Sequence, residues 1–218
     1  MKLLTLGDSF TYGEELADLN LAWPRLVANS NGYELTNLGQ PANSNPGICR
    51  QLIEYFATNK KPDLVIVAWS SPGRMEFSDE GGTFSVWPGG ATRRVFQEFH
   101  PWRDDLLEYI NCHHNEEYLY VKYLHDIIFV QNFLTNQQVE YVMLTTVANE
   151  YYRNTYGHQY QYYEQLINTN KFLGWPNRGM SEWTVPCKRG PGGHFLDEGH
   201  KRVAEKINEY IRNIGRLS

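Results

Sequence analysis

The run Leu64-Val65-Ile66-Val67-Ala68-Trp69 constrains the fold more than any other segment. A strand that is apolar at every position has no face to offer to water. It belongs inside a sheet covered on both sides, which is the habit of parallel sheets. Lys2–Leu6 reads as a second buried strand ending at Gly7, and Tyr33–Leu38 and Val139–Thr145 read as two more. Helical patterns lie between them. Residues 15–30 carry Leu16, Leu19, Trp23, Leu26 and Val27, with Pro24 near the start or at a kink. Asn45-Pro46 suits a helix start, Asn as cap and Pro at the first position, followed by the stripe Ile48, Leu52, Ile53 and Phe56. A long helical stretch runs from about Trp102 to Gln138 with a break near residues 111–115, and residues 199–214 form a closing amphipathic helix. Strands alternating with helices predict a three-layer α/β/α sandwich around a mostly parallel sheet.

A chain of 218 residues suits a single domain, 1–218, with elaborations at about 72–100 and 147–193. The second is crowded with Tyr and Trp, as core packing or as a platform for a sugar ring or acyl chain. The net charge of −5 and the lack of a basic block argue against a nucleic-acid partner. No apolar stretch reaches the roughly 18 residues of a membrane span. Residues 2–6 are too short for a signal-peptide core, so a cytoplasmic location is expected. Cys49, Cys112 and Cys187 are far apart and odd in number, which fits reduced thiols rather than a zinc ribbon or disulfide scaffold. His113-His114 with Glu116 and Glu117 invites a metal reading. Adjacent helical residues point in different directions, however, so no metal and no other cofactor is expected.

The chemistry sits at the two ends of the chain. Ser9 lies in Gly7-Asp8-Ser9-Phe10-Thr11-Tyr12-Gly13, directly after the first strand. A serine hydroxyl attacks a carbonyl only when a base removes its proton, and the base works best when a third group fixes its tautomer. Asp197-Glu198-Gly199-His200 supplies a carboxylate three residues before an imidazole. Ser9 and Asp197 are also good helix caps, which is their bland alternative. Ser9, Gly39, Ser70-Ser71 and the Asp197/His200 segment all follow strands, and so converge on the carboxyl edge of the sheet. The N–H groups of Ser9 and Gly39 can there face a developing oxyanion. His194, in Gly192-Gly193-His194-Phe195, reads as a loop histidine, with a substrate contact or a rival base as alternatives.

These blocks resemble those of the GDSL/SGNH-type esterases and acylhydrolases: Gly7-Asp8-Ser9 with Gly13, then Asn37-Leu38-Gly39, then Asp197-x-x-His200, with Trp23-Pro24 in the first helix. The resemblance implies the SGNH-hydrolase, flavodoxin-like architecture. It makes Ser9 the nucleophile, His200 the base, Asp197 its orienting carboxylate, and the Ser9 and Gly39 N–H groups oxyanion donors. The third block departs from the family's Gly-x-Asn-Asp and reads Ala68-Trp69-Ser70-Ser71-Pro72-Gly73-Arg74, similar to divergent members carried by bacterial viruses. Ser71 stands in for the missing Asn, with Ser70, Asn43 and Asn45 as alternatives. Arg74, His194 and Trp175 are candidate substrate contacts. The expected function is a serine esterase for small carboxylic esters, O-acetyl groups on carbohydrate favoured, working through an acyl-enzyme on Ser9. A catalytically weak or inactive binding module on the same fold, and an acyltransferase or longer-chain acylhydrolase, are the competing readings.

Overall fold

The computed structural model describes residues 1–80, 82–87, 108–110, 112, 114–147 and 149–214. Strands β1 (Lys2–Leu6), β2 (Glu34–Asn37), β3 (Leu64–Trp69) and β6 (Glu140–Thr145) form a sheet in the order β2-β1-β3-β6. Every pairing in it is parallel. A hairpin of β4 (Met75–Asp79) and β5 (Gly82–Val86) stands apart, within the elaboration expected at about 72–100.

Side chains alternate across a strand, and here the alternation sorts the core into two layers. Leu4, Leu6, Val65, Val67, Trp69, Tyr141 and Met143 face the helices α3 (Asn45–Thr58) and α4 (Glu116–Asn136). Leu3, Leu64, Ile66, Ala68, Val142 and Leu144 face α2 (Trp23–Asn31) and the last helix, α8 (Asp197–Ile214). The α/β/α sandwich is therefore present, with β3 buried on both faces. Between β6 and α8 the chain forms the short helices α5 (Glu150–Tyr156), α6 (Gln161–Glu164) and α7 (Met180–Trp183). Phe172 in this segment bridges to Met143, so the elaboration touches the edge strand β6.

Boundaries follow local chemistry. The first helix, α1 (Ser9–Tyr12), is capped by Asp8 and ends at Gly13, whose φ of 95° suits a residue without a Cβ. Ser44, not Asn45, caps α3, which frees the Asn45 carboxamide to reach the end of β3. Residues 13–18 are not helical, so α2 begins later than the apolar spacing predicts. The expected long helix is found over Glu116–Asn136, and its residues 102–107 lie outside the described residues. Among the described residues no helix is long and apolar enough to cross a membrane.

From β1 the chain goes to β2 on one side and, after α3, to β3 on the other. The carboxyl ends of β1 and β3 thus flank a topological switch point, the usual ligand crevice of such sheets.

Candidate active site

Asp8 organises the crevice. Its buried carboxylate accepts from Phe10 N–H at 3.1 Å, Ser70 Oγ at 2.9 Å and Thr146 Oγ1 at 3.0 Å, and pairs with Arg74 Nη1 at 3.3 Å. One side chain thereby ties together the ends of β1, β3 and β6. Arg74 also donates to the Asn43 carbonyl at 2.9 Å and lies over the Trp87 ring. Its guanidinium neutralises a buried acid, which gives Arg74 a place in the framework of the crevice.

Ser9 opens α1 directly after this hub. Its Oγ lies 2.8 Å from Nε2 of His194. His194 Nδ1 lies 2.9 Å from Oε2 of Glu15. A carboxylate only accepts, so Nδ1 carries the proton and Nε2 is left to accept from the serine hydroxyl. Glu15 is itself fixed: Oε1 accepts from Gly192 N–H at 2.6 Å and Oε2 from His194 N–H at 3.0 Å. These bonds, the Gly192 N–H foremost, hold its carboxyl below the usual range despite an opposing desolvation cost. A Cβ on Gly190 would lie 2.6 Å from Glu15 Cδ, so the glycines of this loop let the backbone close over the carboxylate. Phe10 packs on the imidazole with ring centroids 4.8 Å apart.

The expected Asp197/His200 pair is not at Ser9. His200 lies on the apolar stripe of α8 with Val203, Ala204 and Ile207 and is fully buried. Its Nδ1 accepts the Trp23 N–H at 3.1 Å and its ring packs edge-on to Phe195. Burial lowers its pKa to about 3, which leaves a neutral imidazole in the core. Asp197 is exposed in the first turn of α8. The residue three before His194 is Pro191, which offers no carboxylate, and the acid position is taken by Glu15 from the other end of the chain. Sequence reasoning missed Glu15 altogether. The available signals were two adjacent carboxylates right after Gly13 and the glycine-rich approach to His194.

The expected oxyanion donors are mostly engaged elsewhere. Gly39 N–H donates to Asn37 Oδ1 at 2.9 Å. Its lack of a Cβ serves packing instead, since a Cβ there would lie 2.5 Å from Tyr12 N and 2.7 Å from Thr11 C in α1. Asn43 Nδ2 donates to the Gly7 carbonyl and to Gln51, and Asn45 Nδ2 to the Ser70 and Ser71 carbonyls. Ser70 Oγ is held by Asp8, and Ser71 follows it at the end of β3, where its carbonyl takes the Asn45 bond. The Ser9 N–H makes no hydrogen bond among the described residues. Trp175 packs on Phe172 at 4.8 Å in the α3/α4 layer, with no contact to the Ser9–His194–Glu15 chain among the described residues.

No family model and no curated protein matches the sequence. Solved structures do. A lipolytic G-D-S-L family protein from Veillonella parvula is 14% identical, with 96% of this chain and 97% of that chain covered and a TM-score of 0.55. TesA is 12% identical, with 98% and 99% covered and a TM-score of 0.59. A carbohydrate esterase family 2 enzyme with a carbohydrate-binding domain, from Corynascus thermopiles (Myceliophthora fergusii), is 14% identical, with 98% and 66% covered and a TM-score of 0.57. The chain thus has the fold of the GDSL/SGNH-type hydrolases.

Proposed function

We propose that this chain is a serine esterase in which Ser9 is the nucleophile, His194 the general base and Glu15 the carboxylate that orients it. The observation that carries this reading is the continuous chain from Ser9 Oγ to His194 Nε2 at 2.8 Å and from His194 Nδ1 to Glu15 at 2.9 Å. In the first half-reaction His194 takes the Ser9 proton as Oγ attacks the ester carbonyl, and the Ser9 N–H donates to the oxyanion. The imidazolium then passes its proton to the departing alkoxide, leaving an acyl group on Ser9. Water enters, His194 removes its proton, and collapse of the second tetrahedral intermediate releases the acid and restores Ser9. Glu15 keeps the imidazole in one tautomer and faces the positive charge that forms on it.

Small carboxylic esters are the proposed substrates, with O-acetyl groups on carbohydrate favoured. The likeness to a carbohydrate esterase supports that choice. A second reading, a binding module with weakened catalysis, is favoured by one feature: Gly39, Asn43, Asn45 and Ser70 are all engaged in internal hydrogen bonds. Loss of a single oxyanion donor typically costs about 10²–10³ in rate. Fluorophosphonate labelling with a 4-nitrophenyl acetate assay separates the two. The esterase reading expects wild type to label and turn over, and Ser9→Ala to do neither. Labelling that persists in Ser9→Ala, or no turnover by wild type, rejects it.

A further inference from the structure

The imidazole of His194 has a second carboxylate beside it that the proposed chemistry does not use. Glu14 Oε2 lies 3.4 Å from Nε2, the same nitrogen that faces Ser9 Oγ at 2.8 Å. Glu14 is 41% exposed, and it forms a charge pair with His194 only when the imidazole is protonated. Its neighbour Glu15 points the other way, to Nδ1 and the Gly192 N–H. Two successive residues therefore place carboxylates on opposite edges of one ring.

The position of Glu14 matters because of what Nε2 does. In the reading proposed above, on which this inference rests, Nε2 hands its proton to the alcohol oxygen of the ester. That oxygen must come within hydrogen-bond reach of Nε2. A group 3.4 Å from the same atom therefore flanks the leaving alcohol rather than the acyl group. Among the described residues no Lys or Arg pairs with Glu14. Arg74 is taken by Asp8, and Arg189 donates to the Gly193 carbonyl and to Thr184.

We infer that Glu14 selects the alcohol half of the substrate. Its carboxylate accepts hydrogen bonds from hydroxyl groups next to the ester and attracts an ammonium there, and it repels a carboxylate or phosphate at that place. The favoured esters are those of neutral polyols, neutral sugars and amino sugars, and esters of uronates and phosphorylated sugars are poor substrates. A single charge about 5 Å away across wet protein changes kcat/KM on the order of five- to tenfold, and added salt weakens the effect.

Two acetate esters of nearly equal shape test this: acetylcholine, whose alcohol is cationic, and 3,3-dimethylbutyl acetate, whose alcohol is neutral. The readout is the ratio of their kcat/KM values at low salt. Wild type should prefer the cation by five- to tenfold. The ratio should fall toward one in Glu14→Gln and at high ionic strength, and Glu14→Asp should retain part of it. A ratio unchanged by Glu14→Gln, with both esters turned over, overturns this inference and leaves the esterase reading intact. Failure of wild type to hydrolyse either ester overturns both.

Discussion

Glu15 holds a left-handed backbone, with φ of 69°, which an L side chain adopts at a cost. The loop repays that cost: Gly192 and His194 donate backbone N–H groups to the same carboxylate that meets His194 Nδ1. Glu15→Gln keeps the shape and removes the charge. It is expected to lower kcat/KM for 4-nitrophenyl acetate by roughly 10²–10⁴, by analogy with loss of the acid in serine triads. Because its carboxyl already lies below the usual range, Glu15 does not set the acid limb of the rate profile. A fall of less than about threefold in Glu15→Gln would show that the carboxylate does not orient the base. This residue was not legible in the sequence, because nothing local says that a carboxylate beside the nucleophile will serve a histidine far along the chain. His200 misled for the converse reason. Asp-x-x-His on an amphipathic helix looks the same whether the imidazole turns toward a site or, as here, into the core beside Trp23.

At the scale of elements, the parallel strands were readable because burial on both faces demands unbroken apolar runs, and Leu64–Trp69 has one. The β4–β5 hairpin was not, since its strands are short and sit in a segment rich in glycine and aromatic residues. The role of Asp8 was hidden for a similar reason: its partners Ser70, Arg74 and Thr146 come from loops after different strands. That role has a measurable consequence. Arg74→Gln leaves Asp8 buried without its counter-charge and is expected to cost about 3 kcal/mol or more. Chemical denaturation measures this directly. An unchanged midpoint together with a raised KM would mean that Arg74 holds substrate after all.

For the whole molecule, the buried His200 couples folding to pH. The folded state keeps this imidazole neutral down to about 3, whereas the unfolded chain takes up a proton near the ordinary 6.5. The unfolded state therefore binds more protons between those values. The stability tied to His200 is fully present above about 6.5 and is lost as pH falls toward 3, by about 1.4 kcal/mol per pH unit well inside the window. Asp126 has the opposite sign, because burial raises its carboxyl to about 6 and the folded state gains a proton first. A comparison of wild type with His200→Gln isolates the histidine. Their difference in unfolding free energy should change by roughly 2–3 kcal/mol between pH 6.5 and about pH 4.5, to the disadvantage of wild type. A difference that does not vary with pH would contradict a neutral, buried His200.

The central claim is that His194, not His200, serves Ser9. Its most direct test is kcat/KM for 4-nitrophenyl acetate in His194→Gln beside Asp197→Asn, both checked for folding. A fall of about 10²–10⁴ in His194→Gln, with Asp197→Asn within about threefold of wild type, is the expected result. Collapse of activity in Asp197→Asn with activity retained in His194→Gln would contradict it.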